Sequence, residues 1–365
     1  MAKVTLIRGD GVGPEVIRAA QICLEAAEAD IEWEEALAGE AARKEQGSLL
    51  PSQTLDSIRR NKVALKGPLT TPVGGGFRSL NVEIRRRLDL YACLRPARFW
   101  GSVHSLYKDV DIVIVRENKE DLYAGIEFDI DDEFTGIVKE EIKKRTQQEF
   151  SSHTAISLKI ISQEEAARIA RFAFEYALAN RRKKVSCVHK ANIIKFSDGL
   201  FLKTFYEVAK EYEGKIEAND IIVDNLAMQL VQKPQNLDVL VLPNLYGDII
   251  SDLAAGLIGG LGIAPGANLG DGMAVFEPVH GAAPKYAGKN MVNPTATILS
   301  AVLMLHYLGQ KREAEILEKA VKRVIEEGKV VTYDLRQDRD KNKAAGTQEM
   351  AEEIAEKVRE IREKD

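Results

Sequence analysis

The sequence is short of cysteine, tryptophan and long apolar runs, and it has no surplus of positive charge. Its three cysteines, Cys23, Cys93 and Cys187, stand in apolar surroundings without a CxxC pair. That argues against a disulfide framework or a cysteine zinc site and fits a reduced, cytoplasmic setting. The first residues, MAKVTLIRGDG, lack the apolar core and small-residue cleavage site of a secretion signal. The longest apolar helical stretch, Pro294 to Leu308, is too short to span a bilayer and carries His306, so no membrane partner is expected. The net charge is −5, with Lys and Arg spread along the chain, which argues against a nucleic-acid surface.

What is present is the composition of a globular protein, 365 residues with 45% hydrophobic and 29% charged, enough for two domains and a sizeable core. Val4 to Ile7, Val63 to Leu65, Asp111 to Val115, Val185 to Val188 and Val239 to Leu242 read as buried strands. Amphipathic helices such as Pro14 to Ala27 and Gln163 to Ala179 alternate with them, which predicts an α/β sheet, largely parallel in at least one part. The charge-dense stretch Asp129 to Ser152 reads as an inserted arm between two α/β parts.

IRGDGVGPEV places Gly9, Gly11 and Gly13 between a strand and a helix. The spacing is not G-x-G-x-x-G and Pro14 follows directly, so the stretch reads as a structural turn with Pro14 at the first helical position. RSLNVEIRRRLDLYACLRP, Arg78 to Pro96, holds five arginines and follows Gly74 to Gly76. Ser79 is a candidate helix cap, which sets Asn81 and Arg85 four residues apart on one face. Arginine offers planar, bidentate donors to carboxylates. Arg86 and Arg87 read as solvent-facing, whereas Arg85 and Arg95 suit either a solvated basic face or an anion site.

VRENKEDLYAGIE puts Arg116 at a strand end, where open α/β sheets bind ligands, with Tyr123 seven residues on. VSCVHKANI puts Lys190 at another strand end. A tyrosine or lysine so placed suits either acid–base chemistry or a structural role. In NLYGDIISDLAAG, helical spacing would put Asp248 and Asp252 on one face, and Asp224 in IIVDNLAMQ is a third candidate. Carboxylates in such a set suit Mg²⁺ or Mn²⁺. LGIAPGANLGDG and EPVHGAAPKYAGKNMVNP read as Gly/Pro-rich loops that can approach a phosphate, with Lys285 and Tyr286 in the second. Asn293-Pro294 then opens the apolar helix.

In this order GDGVGPE, KGPLTTPVGGG, LRP, REN, HKANI, NLYGDIISD, GIAPGANLG and HG resemble the isocitrate/isopropylmalate family of β-decarboxylating dehydrogenases over nearly the whole chain, and its NADP-type isocitrate branch in particular. The resemblance implies an isopropylmalate/isocitrate dehydrogenase-like α/β fold with a large discontinuous domain, 1–90 and 259–365, carrying the cofactor loops. It further implies a small central domain, 91–121 and 162–258, with metal and dimer-interface residues, and a clasp-like insertion, 122–161, that helps form a homodimer.

The implied reaction is metal-dependent oxidative decarboxylation of isocitrate to 2-oxoglutarate and CO₂ with reduction of NADP. By position, Ser79, Asn81, Arg85, Arg95 and Arg116 would hold substrate, and Tyr123 and Lys190 would be the acid–base pair. Asp224, Asp248 and Asp252 would bind Mg²⁺ or Mn²⁺. Lys190 and Asp224 would cross the dimer interface, so each active site would need two subunits. Thr71 would face the nicotinamide ribose, and Asn293 the adenine with His280 beside it. Gly281 and Val292 would complete that pocket, and Lys285, Tyr286 and Tyr333 would meet a 2′-phosphate.

Ser79 and Asn81 resemble the isocitrate pattern, whereas isopropylmalate members place apolar residues and an acidic residue on this helix. Lys285 stands where NAD-dependent relatives often carry a carboxylate, and Gln337 stands where NADP-type relatives often carry an arginine, with Arg336 next to it. The alternatives are the same chemistry on homoisocitrate or 3-isopropylmalate, an NAD-dependent isocitrate enzyme, and a non-catalytic regulatory subunit. The intact set of arginines, aspartates, Tyr123 and Lys190 argues against the last.

Overall fold

The computed structural model describes residues 1–70, 79–101, 105 and 107–364. Its strands are β1 Ala2–Ile7, β2 Ile31–Glu35, β3 Val63–Lys66, β4 Ala92–Arg98, β5 Asp111–Glu117, β6 Glu127–Phe128, β7 Ile156–Ser157, β8 Lys184–His189, β9 Glu217–Ile222, β10 Val239–Leu242, β11 Pro265–Gly270 and β12 Met273–Pro278. A 10-stranded sheet runs β2-β1-β3-β12-β11-β4-β5-β10-β8-β9, and β6 and β7 form a separate ribbon.

On one side β2, β1, β3 and β12 are parallel. On the other, β5, β10, β8 and β9 are parallel. The joins β12–β11, β11–β4 and β4–β5 are antiparallel, so the two parallel halves run in opposite directions. The β2-to-β11 half comes from the two chain ends, and the β4-to-β9 half from the middle. Every residue of β10 is fully buried, as expected of a parallel strand covered on both faces.

The helix Gln163–Ala179 begins where a capping serine sets it, Ser162 Oγ accepting the Glu165 N–H at 3.3 Å. The other predicted helix spans Gly13–Ala26, with Pro14 in its first turn. Before it, the turn clamps two loops together. Asp10 N donates to Pro68 O at 2.7 Å and Val12 N to Ala282 O at 2.9 Å. Gly11 has φ +58°, and a Cβ there would lie 1.9 Å from the Ala282 carbonyl oxygen, so no other residue fits.

The structure corrects the reading of LGIAPGANLGDG as loop. Pro265–Gly270 is β11, in the middle of the sheet. Proline is tolerated at the first position of a strand, and the neighbours β4 and β12 supply the ladder that propensity does not. Asp271-Gly272 closes the β11–β12 hairpin, a two-residue turn whose Gly272 has φ +69°. The charged insertion folds as the helix Glu133–Thr146 between β6 and β7, with Asp132 accepting the Phe134 N–H at 2.8 Å. Among the described residues no helix is long and apolar enough to cross a membrane. All three cysteines are free and buried.

Candidate active site

The antiparallel centre of the sheet places side chains from both halves around one cleft. Pro68, Leu69, Asn81, Arg85, Cys93, Arg95, Asn268, Glu277, His280 and Gly281 line it. Arg85, in the last turn of the helix Leu80–Arg87, is buried, and its Nη2 donates to Glu277 Oε1 at 3.0 Å. Glu277 also pairs with the buried Lys66 at 2.6 Å and accepts from Asn268 Nδ2 at 2.7 Å. Burial alone would raise the Glu277 carboxyl, but the Lys66 and Arg85 charges outweigh it and hold it well below the usual carboxylate range. Sequence reading missed Lys66, Asn268 and Glu277. The Arg85–Glu277 pair spans 192 positions, and no local pattern announces it.

Three buried polar atoms at this cleft lack a partner among the described residues: Arg85 Nε, Asn81 Oδ1 and His280 Nε2. Buried polar groups are nearly always paired, so the three together mark a place for a polar ligand. Asn81 and Arg85 share the cleft as their spacing predicts, while Arg86 and Arg87 are exposed. Ser79 occupies the cap position of their helix, although its hydroxyl makes no capping bond. Burial lowers the His280 pKa and favours neutral imidazole.

Deeper in the sheet, Arg116 at the end of β5 is 1% exposed and lies across from Cys93 of β4. Its Nε donates to Asn244 Oδ1 at 2.9 Å, and its Nη1 pairs with Asp248. Gly247 makes that contact possible, because a Cβ there would sit 2.5 Å from Arg116 Cγ. Arg95 Nη1 lies 3.5 Å from Asp248 and 3.7 Å from Asp252. The Tyr123 hydroxyl donates to Asp248 Oδ2 at 2.5 Å, and its ring lies 4.7 Å from the Arg116 guanidinium. Burial, then the bond to Asp248, raises the Tyr123 pKa, so the phenol stays protonated at neutral pH and can serve as a proton donor.

Asp248 and Asp252 face the same cluster from the helix Asn244–Ile258, as the spacing predicts. Burial, together with the charge of Asp248, raises the Asp252 carboxyl despite Arg95. A divalent cation against these oxygens would relieve that repulsion, so the pair fits a hard metal ion. Asp224 is elsewhere. It begins the helix Val223–Gln232 and pairs with Lys190 at 2.5 Å on an open face. Among the described residues no three acidic, histidine or cysteine side chains converge well enough to hold a metal. One chain thus brings together Arg95, Arg116, Tyr123, Asp248 and Asp252, but not Lys190 or Asp224.

The cofactor candidates form a second group. Lys285 Nζ sits 5.0 Å from the Tyr286 ring centre, and Tyr333 neighbours Tyr286. Asn293 is already engaged, donating to Asp334 Oδ2 and accepting from Thr295 N, both at 2.9 Å. The Val292 carbonyl accepts from Thr347 Oγ1 at 2.6 Å. Thr71 and Gly74 to Gly76 lie outside the described residues.

Next to Arg116, Glu117 is 2% exposed, and burial pushes its carboxyl up to about 7. It accepts the N–H groups of Lys119 at 2.5 Å and Glu120 at 3.0 Å, at the head of the turn that carries Tyr123. Between the unfolded value, 4.5, and about 7 the native state binds the extra proton, so stability falls as pH rises through that window. Glu117→Gln keeps one carbonyl oxygen for both N–H groups and removes the ionisation. It is expected to match the wild type in urea unfolding near pH 4 and to exceed it at pH 8 by about 3 kcal/mol. Equal pH slopes for the two proteins would show that the carboxylate is accommodated.

Residues 3–354 match the isocitrate/isopropylmalate dehydrogenase family. The isocitrate dehydrogenase [NADP] of Archaeoglobus fulgidus is 45% identical, covering 98% of this chain and 93% of that protein. The chloroplastic 3-isopropylmalate dehydrogenase of Solanum tuberosum is 44% identical, covering 91% and 88%. The crystal structure of isocitrate dehydrogenase from Methylococcus capsulatus superposes with a TM-score of 0.89 at 48% identity, covering 98% of this chain and all of that one.

Proposed function

The chain belongs to the isocitrate/isopropylmalate dehydrogenase family, and from that premise we propose that it is an NADP-dependent isocitrate dehydrogenase, oxidatively decarboxylating isocitrate to 2-oxoglutarate and CO₂. The observation that carries the substrate choice within the family is the polar, partly unsatisfied wall of the cleft. Asn81 and Arg85 present buried polar atoms without partners, and Ser79 stands at the head of the same helix. An isopropyl group would leave them unpaired, at a cost of about 1–3 kcal/mol each, whereas the third carboxylate of isocitrate accepts from Arg85 Nε and, with the Asn81 amide turned to present its NH₂, from Asn81.

In this reading Arg85, Arg95 and Arg116 hold the substrate carboxylates. Asp248 and Asp252, with Asp224 of a second copy, hold Mg²⁺ or Mn²⁺. Lys285, Tyr286 and Tyr333 take the 2′-phosphate, with His280, Gly281, Val292, Asn293 and Thr71 along the rest of the NADP. When bound, the oxidised nicotinamide accepts hydride and the divalent cation draws negative charge from the substrate oxygens. Lys190 serves the proton of the substrate hydroxyl, and Tyr123, kept protonated by burial and Asp248, returns a proton to the carbon that has lost CO₂.

The second copy is part of the proposal. Ile193 and Phe196 beside Lys190, Met228 and Val231 on the Asp224 helix, and Ile249 beside Asp248 are all exposed, Phe196 at 93%. Asp224, Met228 and Val231 follow i, i+4, i+7 spacing and so share one face. A homodimer would cover this apolar surface and deliver Lys190 and Asp224 to the partner's cluster. The domain division 1–90 with 259–365, 91–121 with 162–258 and a clasp at 122–161 follows the two halves of the sheet and the helix-bearing insertion. The buried, unpaired cysteines fit a cytoplasmic setting.

The test is a rate comparison on the purified chain with D-isocitrate, homoisocitrate and 3-isopropylmalate, each with NADP⁺ and NAD⁺ and Mg²⁺ or Mn²⁺. Isocitrate with NADP⁺ is expected to give the highest kcat/KM. A higher value for either other acid would overturn the substrate, and a higher value for NAD⁺ would overturn the cofactor.

A further inference from the structure

Lys159 follows the short return strand of the insertion and belongs to no sequence motif. Its ammonium lies 2.9 Å from Asp121 Oδ1 and 3.0 Å from Asp198 Oδ1, with the Tyr246 ring centre 4.5 Å away. Both carboxylates have no exposed surface. Each also uses its second oxygen on the backbone of a functional element. Asp198 Oδ2 accepts the Lys190 N–H at 2.7 Å, and Asp121 Oδ2 accepts the Leu245 N–H at 2.8 Å, in the first turn of the helix that carries Asp248 and Asp252.

Asp121 itself opens the short 3₁₀ helix Asp121–Ala124 that presents Tyr123. It does so at φ +64°, a left-handed conformation uncommon outside glycine though better tolerated by aspartate than by most residues. The backbone around Lys159 is stitched to the same turn, with Asp121 N donating to Ile160 O at 2.8 Å and Leu158 N to Ile126 O at 2.9 Å. Removing the ammonium would leave two buried carboxylates without their cation, a situation proteins avoid.

We propose that Lys159 is a positioning residue for the reaction, its ammonium bridging Asp121 and Asp198 so that the turn bearing Tyr123, the turn bearing Lys190 and the start of the aspartate helix are fixed together. The inference rests on the reading of Tyr123 and Lys190 as the acid–base pair. In the dimer proposed above, Tyr123 and Lys190 of one chain serve different sites, so one Lys159 steadies a part of each.

The experiment compares Lys159→Met, Asp198→Asn, the double variant Lys159→Met/Asp198→Asn and Tyr123→Phe as full-length enzymes, by thermal unfolding and by kcat and KM. Lys159→Met is expected to lose stability and to lower kcat on the order of 100-fold, because a displacement near 1 Å of a reacting group costs about that much. Its KM for isocitrate should stay within about threefold, since Arg85, Arg95 and Arg116 are untouched. The double variant keeps an acceptor for Lys190 N and carries one buried charge fewer. It should regain much of the stability while kcat stays low, and it supplies the measurement where the single variant does not fold. Wild-type kcat in the folded fraction of either variant, or recovery of kcat together with stability in the double one, would overturn the inference and leave Lys159 a plain structural ion pair. Tyr123→Phe separates the two failures. If it is inactive while the Lys159 variants are not, only the inference falls, and if it keeps full kcat the acid–base reading itself falls.

Discussion

Subunits carrying Tyr123→Phe and subunits carrying Lys190→Met, each inactive alone, are expected to recover about a quarter of wild-type activity when refolded together. Half of the dimers in a statistical mixture are hybrids. If Lys190 is delivered across the interface, one of the two sites in each hybrid has both residues intact. The expectation has a geometric root. Tyr123 is bound to Asp248 inside the cleft cluster, whereas Lys190 is bound to Asp224, which is 67% exposed and beside the apolar face. The hydrogen bond from Lys190 lowers the Asp224 pKa and keeps the carboxylate ionised. If both residues served the site of their own chain, no hybrid site would be complete and the mixture would stay inactive. The readout is NADPH formation against mixing ratio, with a maximum at equal amounts.

Such an arrangement was legible in the sequence only in part. Runs of Val, Ile and Leu announced β10 residue for residue, because a strand buried on both faces has no reason to alternate. Strand β11 was illegible by composition, since Pro265, Gly266 and Gly270 all disfavour strands, although Asp271-Gly272 carried a hairpin signal. The edge strand β9, EANDII, has too few apolar residues to stand out and exists because β8 pairs with it. At the site, residue type and strand-end position were enough to select Arg116, and helical spacing was enough for Asp248 with Asp252. The ion pairs that fix Arg85 and the turns bearing Tyr123 and Lys190 were not. Lys66, Glu277 and Lys159 act through partners distant in sequence, and burial of an ion pair is a property of the folded packing rather than of any window of the chain.

Lys285→Glu is expected to lower kcat/KM for NADP⁺ by two to three orders of magnitude, about 3–4 kcal/mol, while changing that for NAD⁺ far less. In the proposed pocket a charge-assisted bond to the 2′-phosphate would be lost and a like charge would take its place. The surrounding residues decide how much discrimination remains. Arg336 is no substitute, because its guanidinium is held by Asp338 through two bonds of 2.8 Å. Gln337 is exposed and uncharged. Lys341, which the sequence did not single out, sits with its ammonium 5.0 Å from the Tyr333 ring centre and, if Tyr333 meets the 2′-phosphate, would supply the cation that Gln337 does not. Lys341→Ala should therefore cost NADP⁺ about tenfold, less than Lys285→Glu because no repulsion is introduced. Both effects should shrink as salt is raised, since these side chains are exposed and screened. Equal losses with NADP⁺ and NAD⁺ in Lys285→Glu would place the residue away from the 2′-phosphate and return cofactor preference to the adenine side of the pocket.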